Sequence, residues 1–124
     1  MKKNLLSLLL FSSILFSKEV VSSKENIIEL MNKGYTIVDI RNYREWEKTG
    51  VIPKAKTIMF FKENGEYNVS VFLAKLKLLN VNINKIALIS TNGEKSKEAS
   101  NAIKKEAKIN VIDLVGGYNN LRKN

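Results

Sequence analysis

From Lys85 to Ser96 the chain reads Lys-Ile-Ala-Leu-Ile-Ser-Thr-Asn-Gly-Glu-Lys-Ser. The apolar run is that of a strand buried on both faces, and a short polar loop carries it straight into a helical pattern. Strands covered on both sides belong to parallel sheets, whose neighbours are joined by crossover helices. No other segment restricts the fold as far.

The rest of the chain repeats this alternation. Short β-branched or apolar runs at 20–21, 36–40, 55–60, 85–89 and 110–114 predict strands. The first helix is predicted to open on Ser22 and Glu25 as a capping box, with Ile27, Ile28, Leu30 and Met31 as its apolar face and Gly34 as its stop. Further helices are predicted at 42–48, ending at Thr49-Gly50, at 69–79, where Val69, Phe72, Leu73, Leu76 and Leu79 share one face, and at 94–107. A last short helix follows Gly116-Gly117. The expected fold is α/β, a mostly parallel sheet of four to five strands with helices on both faces. In such sheets ligands bind beyond the carboxyl ends of the strands.

Ser90 falls at such an end. Residues Ser90, Thr91, Asn92, Gly93, Glu94 and Lys95 turn into a helix whose first N–H groups and dipole favour a negatively charged group, so the loop reads as an anion cradle. The chain has no Cys and no His. That removes disulfides, soft-metal sites and a His-activated nucleophile, and no acidic spacing resembles a calcium loop, so no metal or cofactor is expected.

One domain fits 124 residues with 44% hydrophobic and 27% charged residues. The net charge of +9 is spread among Glu and Asn without a dense basic tract, which speaks against nucleic acid. Residues 1–17 read as a secretory signal: Lys2 and Lys3, then an apolar stretch from Leu5 to Phe16, then the small Ser17. That stretch is shorter than the roughly 20 residues a membrane span needs. The expected mature domain is 18–124, periplasmic or secreted, with no stable span after cleavage. An uncleaved N-terminal anchor is the alternative.

Three separated segments carry a resemblance. Asp39-Ile-Arg41-x-x-x-Glu45-Trp46-x-x-x-Gly50-Val-Ile-Pro-x-Ala55 is similar to the first signature of the rhodanese-like (sulfurtransferase) domain. Leu88-Ile-Ser90-Thr-Asn-Gly93-Glu-Lys95-Ser96 resembles its active-site strand and loop, and Leu114-x-Gly116-Gly117-Tyr118 its closing turn. The resemblance covers about 18–124. It implies a cysteine at the position of Ser90, where active members form a persulfide by taking sulfur from a donor such as thiosulfate. A serine hydroxyl cannot carry that sulfur reversibly. Thr91 stands where family loops often have arginine, while Lys95 keeps the later basic position.

Leader, loop and resemblance together lead to the expectation of an exported rhodanese-like domain without its catalytic cysteine, a module that binds a small oxyanion (thiosulfate, sulfate or phosphate) or a periplasmic partner protein through the Ser90–Lys95 loop. The alternatives are a sulfurtransferase-related enzyme working with a separate thiol protein, and a serine-dependent ester hydrolase. Lys95 either neutralises the anion or projects from the first helical turn. Asp39 is expected to cap the turn after its strand, Arg41 to pair with Glu45, and Trp46 to wedge between helix and sheet. Tyr118 either lines the mouth of the cradle or covers core.

Overall fold

The computed structural model describes residues 18–122. The leader expected at 1–17 lies outside them. Five strands, β1 (Lys18–Val21), β2 (Thr36–Asp39), β3 (Lys56–Thr57), β4 (Ile86–Ile89) and β5 (Ile112–Val115), form one parallel sheet in the order β1-β5-β4-β2-β3. Between them run α1 (Lys24–Asn32), α2 (Tyr43–Thr49), α3 (Val69–Leu78) and α4 (Glu94–Ala107), and α5 (Gly117–Leu121) closes the chain.

Side chains alternate across the pleat, so each strand feeds two cores. Val38, Ile86 and Leu88 pack with Phe72 and Leu76 of α3 and Ile103 of α4 on one face. Ile37, Ala87, Ile89, Ile112 and Leu114 pack with Ile27 and Leu30 of α1 and with Tyr118 on the other. All four residues of β4 are wholly buried, as its unbroken apolar run requires.

Two local expectations fail for traceable reasons. The amide of Ser22 donates to Val115 O at 2.8 Å and extends the β1–β5 ladder by one residue. Ser22 therefore stays extended, and the cap falls on Ser23, whose Oγ accepts the Asn26 N–H at 3.1 Å. Glu25 then stands one place too early for the capping box. The second failure is β3, which keeps only two residues of the predicted 55–60. Beyond it Phe60 and Phe61 turn inward, where Phe60 meets Phe61, Tyr67 and Phe72 at centroid distances of 4.8–5.0 Å. Aromatic packing overrides the ladder at this sheet edge.

Asn42 caps α2 by accepting the Glu45 N–H at 2.9 Å, and Asn68 caps α3 by accepting the Val71 N–H at 3.0 Å.

Candidate functional site

β4 delivers Ser90 to the carboxyl edge of the sheet, but its hydroxyl faces into the protein. Ser90 is 3% exposed. Its Oγ accepts the N–H groups of Gly93 and Ser96, each at 3.2 Å, and donates to Ser96 Oγ at 3.0 Å. Ser96 Oγ in turn donates to Asp113 Oδ1 at 2.6 Å and also lies 3.2 Å from Gly93 O. A buried hydrogen-bonded chain thus links the loop to a carboxylate on β5. Asp113 is 2% exposed, and burial pushes its carboxyl above the usual range, with Glu19 adding to this while Ser96 and Lys97 oppose it.

The loop's amide donors are consequently divided. Those of Gly93 and Ser96 are met by Ser90 Oγ, and that of Glu94 by Asn92 Oδ1 at 3.0 Å. Among the described residues, no acceptor meets the N–H groups of Thr91, Asn92 and Lys95. Thr91 Oγ1 donates to Glu45 Oε2, which ties the loop to α2.

The closing turn holds the loop from behind. Tyr118 and Asn119 donate their N–H groups to Ser90 O and Thr91 O, each at 3.0 Å. Gly93 has φ +94°, and a Cβ there would stand 2.7 Å from Gly116 N. A Cβ on Gly117 would stand 2.2 Å from Ser90 O. Glycine is needed at both because two backbones meet where a side chain would begin.

Asp39 and Arg41 form a second cluster. The guanidinium of Arg41 donates Nε to Asp39 Oδ1 at 3.0 Å and Nη2 to Oδ2 at 2.9 Å, and the Arg41 amide reaches Oδ1 at 3.1 Å. Arg41 also donates to Thr49 Oγ1 at 2.7 Å and to Gly50 O at 3.0 Å. Its partner is therefore Asp39 and not Glu45, because its head turns back under its own loop toward a buried carboxylate. Burial pulls the Arg41 pKa down, but the hydrogen bonds and charge of Asp39 outweigh it and raise the pKa overall. Tyr118 completes this cluster and covers core. Its OH donates to Asp39 Oδ2 at 2.9 Å and accepts the Ile52 N–H at 3.1 Å, while the Arg41 guanidinium lies 3.7 Å from its ring centroid. Burial first, then the charge of Asp39, pushes the phenol up to about 12.

In front of the loop opens a cleft of about 420 Å³. Ile40, Met59 and Phe61 supply its apolar surface, and Glu45, Glu63 and Glu94 face Lys62 and Lys95 around it. Arg41 also borders it, with its charge already met by Asp39. The Lys95 ammonium lies 5.7 Å from the Phe61 ring centroid, over the cleft's apolar surface.

Residues 23–124 match the family model described as the rhodanese-like domain. The chain belongs to the rhodanese-like domain family. A rhodanese-like domain protein from Staphylococcus aureus is similar in structure, 22% identical, with 82% of this chain and 88% of that chain covered and a TM-score of 0.55. So is a protein of unknown function from Rhodopseudomonas palustris, described as a possible tyrosine phosphatase, at 21% identity, 82% and 78% coverage and a TM-score of 0.56. At such identities the likeness is one of fold. No curated protein gives a significant match.

In this rhodanese-like domain the three sequence segments converge. Ser90, Thr91, Asn92, Glu94, Lys95 and Glu45 line one cleft, and Asp39, Arg41, Gly50 and Tyr118 brace it from beneath. Trp46 is half-buried on α2, with its Nε1 buried and meeting no acceptor among the described residues. Sequence reading missed Asp113. Its signal was a carboxylate within the apolar run Val111-Ile-Asp-Leu114, which demands a buried partner. No helix among the described residues is long and apolar enough to cross a membrane.

Proposed function

We propose that this rhodanese-like domain works by binding rather than by sulfur transfer, with the cleft before the Ser90–Lys95 loop as its binding face. One observation carries the reading. At the strand end the side chain is a serine whose proton and lone pairs are all engaged inward, in a chain without any cysteine. Sulfur carriage needs a thiolate presented to the cleft.

The free N–H groups of Thr91, Asn92 and Lys95, with the ammonium groups of Lys62 and Lys95, suit a small oxyanion or an acidic group of a partner protein. Glu45, Glu63 and Glu94 weaken that attraction, so affinity for a free inorganic anion should be modest and fall steeply with salt. With the leader read as an export signal, the ligand is one met in the periplasm or outside the cell.

Two measurements test this on the purified protein. Sulfur transfer from thiosulfate to cyanide should stay at the buffer rate, and a clear rate above it overturns the reading. An NMR titration with thiosulfate, sulfate and phosphate should move the amides of Thr91, Asn92 and Lys95 saturably. Absence of shifts there removes the anion and leaves the cleft to a protein partner.

A serine-dependent hydrolase is the second reading, favoured by the Ser90–Ser96–Asp113 chain, which ends on a carboxyl with raised pKa. Against it, both lone pairs of Ser90 Oγ already accept N–H groups. Turnover of phosphate or carboxylate esters that vanishes in Ser90→Ala would establish it.

A further inference from the structure

On the face packed by α1 and α5, the β2–β3 side of the sheet lies open. A crossover between parallel neighbours ordinarily lays a helix over them. Here that crossover is α2, which has seven residues and buries none of them. What remains is an apolar groove of about 930 Å³, lined by Ile27, Ile28 and Met31 of α1, by Ile37 of β2, and by Ile52 and Leu121. Ile28 is left 48% exposed.

The loop that borders the groove is held in place. The Ile52 N–H donates to Tyr118 OH, the Ala55 N–H donates to Ile52 O at 3.0 Å, and Lys54 sits between them in the left-handed region at φ +70°. A lysine kept in that conformation is a strain that the surroundings must impose. Charge on the groove is one-sided. Lys24, Lys54 and Lys56 line it against a single acid, Glu25.

We propose that this groove docks an amphipathic helix of a partner protein, its apolar face against Ile28, Met31 and Ile52 and its acidic flank against Lys24, Lys54 and Lys56. A helix supplies the layer this face lacks, and anchors at helical spacing are what an open apolar groove accepts. The lysines set the sign of the partner's flank and steer its approach.

The test uses two fluorescent helical peptides with one shared leucine face, flanked in one case by glutamate and in the other by lysine. Each is titrated against the full chain, with anisotropy for affinity and amide NMR for location. The glutamate peptide should bind saturably and move Ile28, Met31 and Ile52, and the lysine peptide should bind at least about tenfold more weakly. Ile28→Asp should weaken the glutamate peptide by roughly tenfold or more, since an anchor side chain leaves the interface. Lys54→Glu and, independently, Lys24→Glu should weaken it and narrow the gap between the two peptides. Both lysines are exposed, and circular dichroism checks that the fold is kept. Equal affinities, binding of neither peptide, or shifts confined to the Ser90 cleft overturn the proposal. So does capture by phosphatidylglycerol vesicles through the same residues without peptide binding, which would make this a membrane-contacting face.

Discussion

The hydroxyl of Ser90 gives its proton to Ser96 and accepts two backbone N–H groups, so what replaces it inherits two donors aimed at one atom. In Ser90→Cys those donors and the start of α4 favour a thiolate. The new thiol is expected to titrate clearly below the ordinary value of about 8.5, as read from the pH dependence of its alkylation rate. An ordinary value would show that the chain to Asp113 cancels the donors. Asp113 itself gives a pH prediction. Its pKa in the folded state is raised, so its contribution to stability is complete below the unfolded value and is lost as pH rises through the folded one. As pH rises through that folded value the native protein comes to hold an unfavourably buried charge. Asp113→Asn keeps an acceptor for Ser96 and removes that charge. It should raise Tm at pH 7 by about 4 °C, the shift that roughly 1 kcal/mol makes in a domain of this size. The gain should shrink toward pH 4. No gain at pH 7 would mean that the bond from Ser96 offsets the whole burial penalty.

At the scale of elements, the sequence was most readable where local chemistry and packing agree. The helix predicted at 94–107 is found at Glu94–Ala107, and the run before Ser90 is a strand buried on both faces. It was least readable where a distant contact decides. Ser22 lost its cap because Val115 claims its amide, and β3 was cut short by the ring cluster around Phe60. The place of the candidate site was legible from Ser90, Gly93 and the Gly116-Gly117 pair. The inward turn of Ser90 was not, because it depends on Ser96 and Asp113 meeting across two elements. The joint between the loop and the closing turn yields a prediction of its own. Gly93→Ala meets both the positive φ and a backbone nitrogen 2.7 Å away. It should cost about 2–3 kcal/mol in denaturant unfolding, whereas alanine at Gly65, with open space around it, should cost less.

For the whole molecule, the Asp39–Arg41–Tyr118 cluster joins the first strand–loop unit after β1 to the last turn. Tyr118→Phe removes one bond to Asp39 and leaves the partly buried Ile52 N–H without its acceptor. A loss of about 1–3 kcal/mol is expected, with faster amide exchange at Ile52. The phenol also sets an alkaline limit. Because its pKa is raised to about 12, its stabilising contribution is whole below the unfolded value near 10 and is lost as pH rises through about 12. Stability should fall across that window in the native protein and less so in Tyr118→Phe.

The sheet order carries a consequence for when the fold can close. β1, the first strand, pairs with β5, the last, and Asp39 waits for a tyrosine 79 residues further on. Neither contact can form while the C-terminal turn is still inside the ribosome, and contacts of such long sequence separation form slowly even afterwards. Closure is therefore late: the chain completes its cleft only after the last turn has arrived.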